Sequence, residues 1–215
     1  MSMASELLDE LRQKDESGRI YGVVTAVVTN NKDPRGLGRV RVEYPWLGKD
    51  REGYWARIAA PMAGRDRGLY FLPEVDDEVL VAFEQGDVRF PYVIGALWNG
   101  KDAPPAKNDD GKNNVRLIRS RSGHVIRLTD EEGKEKIEII DKSGNNSITI
   151  ETATNQVTIK SEKDITLRAP KGAIKLDAQK LEFKSSADAK IEAGASLDVK
   201  AAATMNIKGQ VVNIN

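Results

Sequence analysis

Eight apolar–polar–apolar triplets follow one another along the last part of the chain: Val157-Thr158-Ile159, Ile165-Thr166-Leu167, Ile174-Lys175-Leu176, Leu181-Glu182-Phe183, Ala189-Lys190-Ile191, Leu197-Asp198-Val199, Met205-Asn206-Ile207 and Val212-Asn213-Ile214. Their third positions are separated by 8, 9, 7, 8, 8, 8 and 7 residues, and the long step holds Pro170 and Gly172. Alternation of this kind is the period of a strand, with both apolar side chains on one face and the polar one on the other. About five small or charged residues then turn the chain. A strand with a two-residue apolar face cannot complete a sandwich layer, and eight residues are too few for a full coil of a single-chain β-helix.

The energetics point outward from the single chain. About sixteen stripe side chains at ~2 kcal/mol each offer roughly 30 kcal/mol of gross burial. Ordering about 60 backbone residues costs roughly 60 to 120 kcal/mol. Ladder hydrogen bonds must close that gap, and a chain that turns after every octad has to find many of them on copies of itself. Three intertwined chains meet the need, with the apolar pairs on a three-fold axis and the polar residues and turns in water. The expected trimer core is Val157, Ile159, Ile165, Leu167, Ile174, Leu176, Leu181, Phe183, Ile191, Leu197, Val199, Met205 and Ile207. With strands ~4.8 Å apart, ten layers would make a needle roughly 50 Å long.

Composition fits a narrow core. Phe183 is the one aromatic residue after Trp98 in a chain of 215 residues. Residues 137–215 carry eleven basic and ten acidic side chains, read as a charge-paired, solvated wall. The whole chain has 33 basic and 33 acidic residues, which argues against a dedicated nucleic-acid or anionic-membrane binder. With no cysteine and a single histidine, disulfides, thiolate catalysis and Cys-ligated zinc drop out, along with most catalytic triads. We expect no metal, no cofactor and no enzyme activity.

The chain divides into four parts. Residues 1–19 form a short arm in which Leu7, Leu8 and Leu11 have the spacing of an amphipathic helix. Residues 20–100 hold five strand patterns, Tyr21 to Val28, Gly38 to Tyr44, Tyr54 to Ala60, Glu78 to Phe83 and Tyr92 to Leu97, in keeping with a small closed barrel such as an OB-fold or an SH3-like barrel. Residues 101–118 read as a linker. Residues 119–215 open with a strand from Arg119 to Leu128 and another from Ile137 to Ile140, then pass into the octads. The fold class is all-β, a barrel followed by a trimeric β-helical needle. No apolar run is long enough to span a bilayer, and the N-terminus lacks the basic flank, apolar core and cleavage site of a signal peptide, so assembly is expected in the cytoplasm.

Several motifs look sharper than they are. Gly95 to Asp102 spells most of a phosphate-binding loop, but Asp102 stands where a hydroxyl is needed and Pro104-Pro105 forbid the following helix. Gly36 and Gly38 read as turn glycines. Trp46, Tyr54, Trp55 and Arg57 could stack single-stranded nucleic acid, yet residues 20–100 carry ten basic and eleven acidic side chains, and core or trimer contacts are expected for the aromatics. His124 reads as a junction residue, and Glu74, Asp76, Asp77 and Glu78 as a turn before a strand.

With these residues in place, the chain resembles the central spike proteins of contractile tails, the phage baseplate assembly protein V family and the spike half of VgrG proteins. The resemblance rests on Asp33-Pro34-Arg35-Gly36-Leu37-Gly38-Arg39-Val40-Arg41-Val42, Tyr54-Trp55-Ala56-Arg57, Pro61-Met62-Ala63-Gly64, Leu72-Pro73-Glu74-Val75-Asp76-Asp77-Glu78-Val79-Leu80-Val81, Gly95-Ala96-Leu97-Trp98-Asn99, and Arg121-Ser122-Gly123-His124 with Leu128-Thr129-Asp130. It implies an OB-fold collar under a homotrimeric needle at the tip of an inner tube, driven through a cell envelope by a contracting sheath, in a phage virion or a phage-like particle. No histidine follows His124, so the tip is expected to lack the iron-binding motif of some phage spikes. The resemblance further implies a separate hub protein above the barrel and a PAAR-repeat tip protein on Val211, Val212, Asn213, Ile214 and Asn215, with effector cargo as a further partner. The alternative is a trimeric tail fibre or adhesin-like receptor-binding module.

Overall fold

The computed structural model describes residues 18–47 and 52–214. The arm read over residues 1–19 lies almost wholly outside them, as does Asn215. The described chain forms two compact units, divided between Glu162 and Lys163.

In the first unit the strands are β1 (Val24–Asn30), β2 (Val40–Glu43), β3 (Glu52–Ile58), β4 (Ala63–Gly64), β5 (Arg67–Gly68), β6 (Glu78–Phe83), β7 (Pro91–Ala96), β8 (Val115–Arg119), β9 (Val125–Thr129), β10 (Lys136–Ile140), β11 (Ser147–Glu151) and β12 (Gln156–Lys160). Each of the five barrel patterns of the sequence yields one strand. β1, β2, β3, β7 and β6 close in that order into a barrel. β1 pairs antiparallel with both β2 and β6, and β3 closes on β7 in parallel. This connectivity is consistent with an OB-fold.

The interior follows from alternation. Ala26, Val28, Val40, Val42, Ala56, Val79, Val81 and Val93 are buried at every second position of their strands, with Tyr44 and Phe83 closing one part of the core. The Tyr44 ring lies 5.6 Å from Phe83, and burial pushes its phenol up to about 12. At Gly53 a Cβ would stand 2.7 Å from the Val42 carbonyl and 2.8 Å from the Tyr44 ring, so this close approach of β3 to β2 needs glycine.

The loop from β1 to β2 is organised by one carboxylate. Asp33 accepts the backbone N–H groups of Arg35 at 3.0 Å and Leu37 at 2.9 Å, and takes Nε and Nη2 of Arg39 at 2.9 and 2.8 Å. Gly36 and Gly38, at φ 63° and 67°, let the chain fold back around it. The Arg39 guanidinium holds the Asp33 carboxyl well below the usual carboxylate range, with the loop N–H groups adding to the effect.

Beyond the barrel, β8 to β12 form a five-stranded antiparallel meander. Two sequence expectations change here. The stretch from Arg119 to Leu128 is not one strand: Ser120 to His124 turn the chain, with Gly123 at φ 102°, and β8 and β9 pair across that turn. β8 also takes up part of the segment read as linker, which leaves residues 101–114 as the irregular connection. Arg121 in the new turn forms an ion pair with Glu74 of the barrel.

The second unit, followed from Lys163 to Ile214, keeps the period of the sequence in its backbone. The chain bends at 162–163, 170–172, 179, 186–187, 194–195, 202–203 and 210–211, once per octad. Its described residues form no strand pairing, and their one backbone–backbone hydrogen bond runs from Gly172 N–H to the Ala169 carbonyl.

Two outcomes follow for the barrel. Gly53→Ala should lower its unfolding free energy by about 1–3 kcal/mol, read as a shift of the denaturant midpoint. Asp33→Asn should flatten the acid dependence of its thermal midpoint. A carboxylate lowered in the folded state stabilises it fully above the unfolded value of about pH 4, and that contribution is lost as pH falls below it. The wild-type midpoint should therefore fall more steeply than the variant's between pH 7 and pH 2.

Candidate functional site

The meander has two unlike faces. Its register sets Ile118, Ile126, Ile139, Ile148 and Ile159 side by side across all five strands, and Leu128, Ile137, Ile150 and Val157 in a second row. These nine side chains are 41% to 65% exposed. A single chain thus presents a continuous apolar face of a size that soluble monomers rarely leave open.

The opposite face carries charge. Glu138 is buried there, 3.1 Å from Lys136 Nζ and 3.7 Å from Arg127 Nη1, with Thr149 and Thr158 next in the same row. The cross-strand Arg127–Glu138 pair fixes register on the polar side while the isoleucine rows fix it on the other. In the turn between β10 and β11, Asp141 accepts hydrogen bonds from Ser143 Oγ at 2.8 Å and Asn146 Nδ2 at 3.0 Å. These lower its carboxyl to about 2.

The expected core residues are not gathered by one chain. Val157 and Ile159 lie in β12, paired with Ile150 and Ile148 of β11, on the apolar face. Ile165, Leu167, Ile174, Leu176, Leu181, Phe183, Ile191, Leu197, Val199, Met205 and Ile207 lie in the extended pieces between bends, all exposed. Val211, Val212 and Ile214 are likewise open, Ile214 at 84%. Between the apolar positions the polar residues pair along the chain, Lys180 with Glu182 and Lys190 with Glu192, each at 2.5 Å. β12 is therefore both the edge of the meander and the first octad.

Sequence reasoning missed seven members of this surface: Ile118, Ile126, Leu128, Ile137, Ile139, Ile148 and Ile150. The signal was available, because Ser147-Ile148-Thr149-Ile150-Glu151 repeats the octad triplet one strand earlier.

The other residues singled out take ordinary places. His124 sits in the β8–β9 turn, where its Nδ1 accepts the Lys142 N–H at 3.2 Å. Asp76 and Asp77 shape the turn into β6: Asp76 N–H donates to the Val28 carbonyl at 2.9 Å, and Asp77 Oδ2 accepts the Glu74 N–H at 2.8 Å. Asn99 Oδ1 accepts the N–H groups of Lys101 and Asp102, so the loop lookalike is a turn. Trp46, Tyr54 and Trp55 are not among the buried core residues of the barrel. Trp55 lies on the outer face with the guanidinium carbons of Arg39 and Arg41 each 5.6 Å from its ring, and Trp46 and Tyr54 are exposed. Among the described residues no group of three or more His, Asp or Glu is placed to hold a metal ion, and no helix is long and apolar enough to cross a membrane.

Residues 24–98, the closed barrel, match the family model of the type VI secretion system/phage-baseplate injector OB domain. The chain is 32% identical over 135 residues to the type VI secretion system spike protein VgrG4b of Pseudomonas aeruginosa, covering 55% of this chain and 16% of that protein. It is 37% identical over 82 residues to VgrG2a of the same organism, covering 35% and 9%. Similarity to the actin cross-linking toxin VgrG1 of Vibrio cholerae is 28% over 108 residues, covering 46% and 10%. The chain thus spans less than a fifth of the length of these relatives. Its barrel is similar to the injector OB domain of type VI secretion systems and phage baseplates, and the chain is similar to part of the VgrG spike proteins.

Proposed function

We propose that three copies of this chain assemble into a non-enzymatic spike that punctures a cell envelope, at the tip of the inner tube of a contractile phage tail or phage-like injection system. The observation that carries the reading is the second unit: bends once per octad, every apolar pair uncovered, and backbone groups without ladder partners. Extended backbone in that state gains its hydrogen bonds and its dry face together, by laddering with other chains.

Three-fold closure suits the geometry. A chain that turns after each short strand advances around an axis, and two sister chains fill the gaps it leaves on every face. The apolar pairs then point inward, and pairs such as Lys180–Glu182 line the wall. The apolar face of the meander, which includes Val157 and Ile159 of the first octad, needs cover of the same kind. In this assembly the barrel docks on a separate hub protein, and the exposed layer at Val211, Val212 and Ile214 seats a PAAR-type tip. An axial load on the needle is resisted by interchain ladders, and losing one chain requires unwinding it from two others, so disassembly is slow.

Light scattering with native mass measurement tests this directly. The expected result is a particle of three 23.7 kDa chains, ~71 kDa, that persists in detergent. A stable monomer would overturn the proposal. Within the needle, Ile191→Asp would bring three carboxylates together in a dry interior and should abolish the trimer. Normal trimers from this variant, seen by size-exclusion chromatography, would place the stripe on the outside.

A further inference from the structure

The end of the barrel at which β1, β3 and β7 finish carries two unlike open surfaces. A hydrogen bond from Ala59 N–H to the Val93 carbonyl, at 2.8 Å, sets the chain leaving β3 beside β7. There it forms the β4–β5 hairpin, which Leu69 N–H closes on the Met62 carbonyl at 3.0 Å. Leu37, Met62, Leu69, Tyr70 and Phe71 are all exposed around this hairpin and line a groove of about 570 Å³. Five large apolar side chains gathered on one side of a small barrel form a patch that soluble monomers rarely display.

The hairpin tip adds positive charge. Arg65 and Asp66 stand open to solvent 3.8 Å apart, and Arg67 lies over Gly64, where a Cβ would be 2.7 Å from its Nε. Residues 61–71 thus carry two guanidiniums against one carboxylate. The second surface has the opposite sign. Val28 N–H donates to the Asp77 carbonyl at 3.0 Å and Leu97 N–H to the Glu78 carbonyl at 2.9 Å, which brings Trp98 alongside the acidic turn before β6. A pocket of about 340 Å³ lies there, lined by Leu97, Trp98 and Ala103 together with Asp77, Glu78 and Asp102. Residues 74–78 and 97–103 hold five carboxylates against Lys101, and Arg121 of the meander pairs with one of them, Glu74.

We propose that these surfaces are the two halves of one contact between copies of this chain, with the β4–β5 hairpin of one barrel seated beside Trp98 of the next. The inference rests on the three-chain spike and adds the contact that joins its barrels. Each half has an apolar centre and a charged edge, and the edges are of opposite sign. Hairpin against hairpin would oppose arginines, and pocket against pocket would oppose carboxylates, so charge selects the mixed pairing.

The halves also lie on different sides of the barrel. The hairpin segment packs toward the loop into β2, with the Tyr70 ring 3.7 Å from a Cβ placed on Gly38, while Trp98 and the acidic turn lie where β6 and β7 meet. A contact between unlike sides runs head to tail, and head-to-tail contacts close into rings. Arg121 reaches Glu74 at this same end, so the ring forms on the side of the barrel from which the meander leaves.

The test uses the full-length protein, which has no cysteine of its own. Tyr70 and Trp98 are 77% and 70% exposed, so replacing them leaves the core intact. Tyr70→Cys with Trp98→Cys, mildly oxidised, should give a covalent ladder that ends at the trimer on a non-reducing denaturing gel, whereas either single variant should run as a monomer. Native mass on the same samples separates the two claims. Trimers by native mass with no covalent ladder, or with an intrachain disulfide, would overturn the contact and leave the spike standing; monomers by native mass would sink both. A charge exchange then checks the pairing of signs. Arg65→Glu should lower the covalent-trimer yield roughly two- to fivefold at low salt, and adding Asp102→Arg should restore it. An unchanged yield with Arg65→Glu, or no recovery in the exchanged variant, would overturn the contact as drawn.

Discussion

A strand cannot be stable alone, because its amides and its apolar face both need a neighbour. That constraint governs everything beyond the barrel. From β8 to β12 the chain answers it by doubling back on itself at each successive turn, with Gly123, Gly133, Gly144 and Asn155 supplying the positive φ values. After Lys160 it stops doing so. The octads keep the alternation of a strand and lose its partner, and the open edge of β12 marks the change.

The two halves solve the packing problem differently. The barrel closes on its own small core of valines and alanines with Tyr44 and Phe83, and leaves its arginines and remaining aromatics outside. The meander buries only charge, at Glu138, and displays its isoleucines. A monomer selected for solubility would show the reverse. The inverted pattern is that of a sheet whose isoleucine face is made to be covered.

Much of this was legible in the sequence, for identifiable reasons. Period-two alternation with Gly, Pro and Asp at the breaks located all five barrel strands, and the octad spacing anticipated the bends of the second unit. The motif from Asp33 to Arg39 was recognisable before its cause was visible, namely one carboxylate collecting the loop N–H groups and a guanidinium. What escaped was pairing. Ser120 to His124 resemble strand residues by composition, and nothing local shows that the chain reverses there. Ile148 and Ile150 were overlooked because they precede the regular repeat.

The antiparallel meander stands between a barrel that is complete in itself and octads that are not. Its pairings all join neighbouring segments of one chain, so they form quickly and without waiting for other molecules. A newly made chain can therefore shelter most of its ladder while its octads remain unmatched, and the last sheet strand offers a template of fixed spacing for what comes next. Under the proposed assembly such an arrangement would separate the timing of two events: private folding first, shared winding afterwards. In the proposed trimer it would also give each chain the same starting line, with none left one step out of phase.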